Sequence, residues 1–495
     1  MGADETELAG PSDAVDHGRL ARGFSIQLVG RLASLLLSVV SIAITVRYLG
    51  VDRYGVLTAA VVFSGLFDAF SDIGLNAATV RRAAAGRGTV EHLIGLNLGT
   101  SVIYAVPLWV ITSVAGVLVY DGRSQLQLGV VIVASSLLFR AVGTSYAPIF
   151  ELASRFGPVA LSDFAGRVLS IAMMIVAVRL DLGLVPFFVV QVAPTVVTTA
   201  VQMIASRSMG RFRPVFDRAQ ILDLVREGAP FAVIALIAVV YYRADGVALS
   251  LLSNDTEVGS YGLGYRMATT LSVVPTVFAA TIFPSLIRTH VTGRDAFNGF
   301  ATRAVEFMNL LAVPVATFGI VLAADFVALF ASHSAVPIAT VAARYLFVAT
   351  ALGFTNTIVA HCLMAAHDQR FLVWLSLLSL VVNIGLNIGL DAHYGAAGAG
   401  AALVATEVLS VALAFARLRH VTGFAVPWAY SGRLLVVAGI ALTGWALTRN
   451  GGEGDVVAIA VFTAVFAAGM VVAGPLRPSQ VRAMLGLLRR RSESA

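Results

Sequence analysis

The sequence contains no lysine, so all 34 of its basic side chains are arginines. In solvated positions the two cations are largely interchangeable, and this absence fits a G+C-rich bacterial coding sequence more than a mechanism. Cysteine is nearly absent too. Cys362 is the one cysteine of the chain, which excludes an internal disulfide and a cysteine-ligated metal cluster. Charge of either sign is scarce: 13% of the 495 residues are charged, against about 25% in a soluble domain. With 58% hydrophobic residues and a mean hydropathy of +0.86, the chain cannot cover a water-facing surface with polar groups. No GxSxG, HExxH or P-loop stretch is present, and the eight histidines lack ligand spacing. The opening "MGADETELAGPSDAVDHG" is acidic and polar, unlike the basic start of a cleaved signal peptide, so the first apolar helix is expected to stay in the protein.

Long apolar runs are what the chain has in abundance. A bilayer-crossing helix needs about 20 apolar residues. Runs of that kind fall at roughly 24–48, 55–78, 93–119, 126–150, 159–180, 184–206, 230–252, 260–287, 301–323, 337–364, 371–390, 397–418, 433–448 and 456–474. They predict an all-α integral membrane protein with about fourteen spans, because continuous runs without period-2 alternation exclude barrel strands. The isoelectric point near 9.7 would suggest nucleic acid in a soluble chain; here the arginines sit between spans and act as topology signals. With the N-terminus cytoplasmic, 23 arginines fall on the inside, 5 on the outside and the remaining 6 within spans. That asymmetry places both termini in the cytoplasm.

The longest loop, 207–229, divides the first six spans from the next six. It predicts a cytoplasmic tail at 1–23, a first bundle at 24–206, the linker at 207–229 and a second bundle at 230–420. Two further spans at 421–474 and a basic cytoplasmic tail at 475–495 complete the chain. An internal repeat agrees with two halves: Tyr54-Gly55 follows the first span and Tyr261-Gly262 follows the seventh. Asp181 and Asp391, each between two spans, recur at nearly the same offset. Duplicated halves of this kind are common in secondary transporters. A membrane glycosyltransferase or polymerase is disfavoured, since every outside loop is too short to build an acceptor site.

The informative residues are charges inside the spans, where burial costs several kcal/mol unless a partner or watery cavity is present. Asp163 and Arg167 stand four apart on the fifth span and can pair on one face. Arg266 and Arg344 lie in the outer third and can snorkel towards lipid phosphates. His361 reads as a packing histidine. The stretch "VVYYRADGVALSLL", residues 239–252, is different, because Arg243 falls near the middle of the seventh span. Asp245 is two residues on, about 200° around the helix, so the two present charge to different environments. If Arg31, Arg140, Arg243 and Arg266 line one space between the halves, that space attracts an anion such as a pyrophosphate, which the guanidinium fork matches.

The stretch "VRYLGVDRYGVLTAAVVFSGLFDAFSDIGLNAATVRR", residues 46–82, resembles the first two helices of bacterial polysaccharide flippases. The likeness rests on Leu49-Gly50, Tyr54-Gly55, Asp72-Ile73-Gly74-Leu75 and Arg81-Arg82, and "YGAAGAGAALVATE", residues 394–407, is similar to the start of the same family's twelfth helix. The resemblance implies the superfamily of multidrug exporters, lipid II flippases and oligosaccharide-lipid flippases. Its fold has two six-helix bundles around a central cavity, here with two extra C-terminal helices. The implied activity is translocation, without a catalytic site, of a polyprenyl-(pyro)phosphate-linked oligosaccharide from the cytoplasmic to the periplasmic leaflet of the bacterial inner membrane. The alternatives are a lipid II-type flippase and a multidrug antiporter of the same fold. Partners implied are the lipid-linked sugar, membrane lipids, and the polysaccharide polymerase and glycosyltransferases of envelope synthesis, with no nucleic acid. Lipid II flippases also hold a sodium ion in one bundle. By that likeness Asp245, Asn383, Asn387 and Thr406 are the expected cation-coupling residues, for Na⁺ or H⁺, with no other cofactor.

Overall fold

A computed structural model describes residues 17–153, 157–210, 212–331, 335–450 and 455–472. Most of the N-terminal tail and the basic C-terminal tail lie outside the described residues. So do some side chains within helices, that of Arg31 among them.

Among the described residues the chain is helical, with no strand. Helices α1 (His17–Leu66), α2 (Leu75–Ala84), α3 (Val90–Val119), α4 (Ser124–Ala134), α5 (Ser136–Thr144), α6 (Ala147–Leu152), α7 (Gly157–Arg179) and α8 (Val185–Ser206) build the first half. The second half comprises α9 (Arg218–Leu252), α10 (Asp255–Thr270), α11 (Val273–Thr292), α12 (Arg294–Ala328), α13 (Val336–Ala365) and α14 (Gln369–Thr422). Last come α15 (Trp428–Asn450) and α16 (Asp455–Val472). Ten stretches of the described residues are long and apolar enough to cross a membrane, so the chain is a multi-pass membrane protein. The hydropathy reading counted fourteen spans; α9, with its charged start, and the shorter α16 fall outside the ten.

Two of the long helices are each two helices joined by a kink at a glycine. Gly50 in α1 (φ 74°) and Gly395 in α14 (φ 54°) hold backbone angles that an L side chain rarely adopts. Elsewhere, predicted continuous spans are broken. The second span is interrupted by a 3-10 turn, Phe67–Asp72, before α2. The break frees the Ser71 carbonyl, which accepts a hydrogen bond from the Tyr104 hydroxyl at 2.6 Å, as a broken helix in lipid requires. The eighth span breaks between α10 and α11. Pro275 lies four residues past Leu271, where its ring excludes the continuing helix. Helix α9 starts at Arg218, inside the 207–229 segment. Asp217 caps it, accepting from the amides of Ala219 and Gln220 at 3.0 and 3.1 Å.

Packing separates the helices into two groups. In the first half α1 lies on α7, α7 on α8, and α3 and α8 on α5; in the second, α13 lies between α12 and α14, and α14 against α9. Helix α15 packs on α12 and α16 on α15. The groups meet through α1 against α10 and α9, and α2 against α9. At one end a Cβ on Gly55 would strike the backbone of Asp255, and one on Gly259 the backbone of Val51. One on Gly262 would come within 2.6 Å of Thr58. Both Tyr-Gly pairs of the internal repeat therefore sit where the halves cross, and the glycines let the backbones touch. An Arg123–Asp255 ion pair closes the same end. At the other end Glu227 bridges Arg81 at 2.6 Å and Arg82 at 2.8 Å. Arg82, with Arg81 beside it, holds the Glu227 carboxyl below the usual carboxylate range.

A side chain at Gly55 has nowhere to go. Gly55→Val is expected to cost about 1–3 kcal/mol or more, as overpacking does. Thermal unfolding of purified protein in detergent checks this. An unchanged midpoint would mean that the halves do not meet at Gly55.

Candidate functional site

Between the two groups lies a cavity of about 700 Å³, within the range of about 300–1,000 Å³ of small-molecule sites. Its walls come from α1, α7 and α8 on one side and α9, α10, α11, α13 and α14 on the other. Among the described residues no lining residue lies beyond Glu407, and none comes from α15 or α16.

Arg243, Arg266 and Arg167 line this space. The Arg243 side chain reaches from α9 across to the second part of α1. A Cβ on Gly65 would lie 3.0 Å from both its Cζ and its Nε. Glycine there gives the planar guanidinium a flat backbone to rest on. Among the described residues neither Arg243 nor Arg266 has an ion pair within 4.0 Å. Arg167 is in electrostatic reach of both Asp163 and Arg266. The i,i+4 pairing read for Asp163 and Arg167 thus concealed a residue that also faces the cavity. Arg266, for which snorkelling was open, points to the cavity as well.

Arg140 does not join them. It is not among the cavity-lining residues; its side chain is 44% exposed and its Nε lies 3.3 Å from Asp68. The expected grouping of four arginines is corrected on this point, and the reason is physical. The 3-10 turn in the second span carries Asp68 to α5, where it meets the charge. Arg31 lies in α1, but its side chain is outside the described residues. Arg344, the other cation near a span end, packs on the Trp445 ring at 5.7 Å and donates to the Ile320 carbonyl at 3.1 Å. His361 is a packing residue, with Nδ1 2.7 Å from the Thr357 carbonyl and its ring edge-on to Phe283.

Asp245 lines the same cavity as Arg243, but its carboxylate is held by residues of the second bundle. It is 2% exposed. The Tyr261 hydroxyl donates to its Oδ2 at 3.0 Å and the Asn387 amide to its Oδ1 at 3.1 Å. The same amide nitrogen lies 3.0 Å from Asn383 Oδ1, so three of the four expected coupling residues form one buried cluster. Thr406 is buried too, but its hydroxyl donates to the Ala402 carbonyl of its own helix at 2.8 Å, and no described contact ties it to Asp245.

The structure adds a member that the sequence reading placed in a loop. Because α14 runs on to Gly395, Asp391 lies one turn beyond Asn387 and is 1% exposed. Both its carboxylate oxygens and Asn387 Oδ1 are buried without a hydrogen-bond partner among the described residues. A buried carboxylate without donors is costly, and Asp245 is near enough to act on it electrostatically. Orphaned oxygens of this kind fit a hard cation such as Na⁺, which takes oxygen donors, or a proton. Asp245, Asn383, Asn387 and Asp391 would hold it, provided the Asn387 amide turns its oxygen inward.

Two further lining groups, Glu407 and Tyr241, went unassigned in the sequence. Glu407 accepts from the Tyr241 hydroxyl at 3.0 Å and from the Asn356 amide at 3.2 Å. The cavity is therefore bipolar, with arginines facing acids.

Comparisons with known proteins agree with this architecture. Over 399 residues, 80% of this chain and 82% of the other, the sequence is 21% identical to the probable low-salt glycan biosynthesis flippase Agl15 of Haloferax volcanii. The fold is similar to that of the lipid II flippase MurJ in an inward closed conformation, with a TM-score of 0.73, 12% identity, and coverage of 90% of this chain and 98% of that one. It is also similar to an inward-facing multidrug resistance MATE family transporter of the MOP superfamily, at a TM-score of 0.62 and 14% identity, covering 80% and 98%. The model of a family described as "Polysaccharide biosynthesis protein" matches residues 20–290, more than half of the sequence, and the chain belongs to that family.

Proposed function

We infer that this protein is a flippase for a polyprenyl-(pyro)phosphate-linked oligosaccharide, working by alternating access. The observation that carries the reading is the placement of Arg243, Arg266 and Arg167 around one cavity between two bundles, with no ion pair for the first two among the described residues. An arginine held in a low-dielectric space without a counter-charge is a site for an anion, and the guanidinium fork suits the two phosphates. Three arginines against two acids, Asp245 and Glu407, leave the lining net cationic, which disfavours the cationic compounds that a multidrug exporter carries. The family and the flippase relative point to the same class of substrate. The bundles correspond to residues 24–206 and 230–420, joined by 207–229. The substrate moves from the cytoplasmic to the periplasmic leaflet, after glycosyltransferases have built it and before a polymerase consumes it.

The deciding experiment uses proteoliposomes loaded with defined polyprenyl-pyrophosphate oligosaccharides, with flipping read from access of an impermeant glycosidase. Protein-dependent exposure of the glycan is expected. Movement of a cationic dye with no movement of glycan would overturn the reading in favour of a multidrug exporter.

Orientation follows from the arginine asymmetry, with both termini and the 207–229 segment cytoplasmic. In a Cys362→Ala background, Ser208→Cys should resist an impermeant thiol reagent in intact cells, while Asp121→Cys should react. The opposite pattern would invert the topology.

A further inference from the structure

The acidic wall of the cavity is not needed to hold a pyrophosphate, and its geometry calls for a separate role. Glu407 lies on the second half of α14, 9% exposed and lining the cavity. Its two oxygens are each fixed by one donor: Tyr241 Oη from α9 at 3.0 Å and Asn356 Nδ2 from α13 at 3.2 Å. Three helices thus converge on one carboxylate, and among the described residues one donor direction on each oxygen is filled. A carboxylate oxygen has two acceptor directions, so a ligand hydroxyl or amine in the cavity can complete each of them. Tyr54 and Tyr265 line the same cavity. Asp245 adds a second negative charge within electrostatic reach of Glu407.

We propose that Glu407, held by Tyr241 and Asn356, forms a glycan subsite that binds the hydroxyl or amino groups of the first sugars and rejects sugars bearing a carboxylate. This rests on the flippase reading, with the arginines taking the pyrophosphate. The two ends of the headgroup are then sorted by charge. The phosphates go to the cationic side, and the neutral or amino sugar goes to the acidic side. A uronic acid placed there would set its carboxylate against that of Glu407.

The test measures binding to the full-length protein in nanodiscs by three lipids: polyprenyl pyrophosphate without sugar, its neutral hexose conjugate, and the matching hexuronate conjugate. For the unaltered protein the hexose lipid should bind at least tenfold more tightly than the bare pyrophosphate, and the hexuronate lipid no more tightly than it. Glu407→Gln should lower hexose affinity about tenfold, leave the bare lipid unchanged and improve the hexuronate. Should Glu407→Gln fail to fold, Tyr241→Phe decides, with a smaller loss confined to the hexose lipid expected. An unchanged ratio of hexose to bare lipid in the variant that folds overturns the subsite. So does an equal fall for all three lipids, or a change only in gradient-driven transport. Arg243→Ala is the separate control: it should weaken all three lipids together. If it leaves bare pyrophosphate binding intact, the arginine reading fails independently of Glu407.

Discussion

Arg243→Ala is expected to abolish flipping while the protein still reaches the membrane at near-normal levels. Arg243 is a cavity cation in the last third of α9, and its guanidinium lies close to Gly65 of the opposite bundle. In that position it can offer two parallel N–H bonds to an anion entering between the halves. Hydrogen bonds to a charged group contribute about 1.5–3 kcal/mol each, so losing two amounts to about a hundredfold or more in affinity. Arg243→Lys should recover only part of the activity, because an ammonium keeps the charge without the fork. Gly65→Leu should reproduce much of the defect without touching the arginine, by pushing its guanidinium off the Gly65 backbone. Flipping in proteoliposomes, with membrane abundance measured in parallel, separates the outcomes. Normal transport by Arg243→Ala would remove the central member of the anion site. Loss of the protein from the membrane would instead mark Arg243 as a structural residue.

How much of this was legible in the sequence depended on whether the governing contact was local. That Arg243 and Asp245 meet different neighbours, Gly65 and Tyr261 with Asn387, follows from two helical steps, about 200° of rotation on any helix, although both line one cavity. The crossing of the halves was visible only as a repeated Tyr-Gly pair. That the glycines exist to let Gly55 touch Asp255 and Gly259 touch Val51 could not be read without the packing. Arg140 went astray because its partner Asp68 is distant in sequence and is delivered by a 3-10 turn that hydropathy does not register. Arg167 was hidden by the opposite error, a plausible local partner at Asp163. Asp391 was misplaced because "DAHYG" looks like a loop between apolar runs. The helix in fact continues to Gly395, and that extra turn puts a carboxylate under Asn387. The spacing of four between Asn387 and Asp391 was the available signal.

Asp245→Asn is expected to uncouple flipping from the ion gradient while sparing substrate binding. Asp245 is 2% exposed, and Tyr261 and Asn387 hold its carboxylate at the second-bundle wall of the cavity. Removing its charge leaves the anion site intact. It does remove one of two neighbouring buried carboxylates, and the other, Asp391, has no donor on either oxygen among the described residues. Two such buried acids, neither with an ion pair among the described residues, are held together when a proton or a cation offsets their repulsion. A particle held there and released at the other face links the gradient to the movement of the halves, because Asp245 shares α9 with Arg243 and Tyr261 shares α10 with the inter-bundle contact at Gly262. With Asn at 245, flipping under an imposed gradient should fall at least tenfold, to the rate without one, while lipid affinity changes less than twofold. Asp391→Asn should act in the same direction. The two carriers are told apart by imposing Na⁺ at constant pH and pH at constant Na⁺, since only the true coupling ion should lose its effect in the variants. If flipping by the unaltered protein is the same with both gradients collapsed and with either imposed, Asp245 and Asp391 carry no coupling, and the cluster only holds α9, α10 and α14 together.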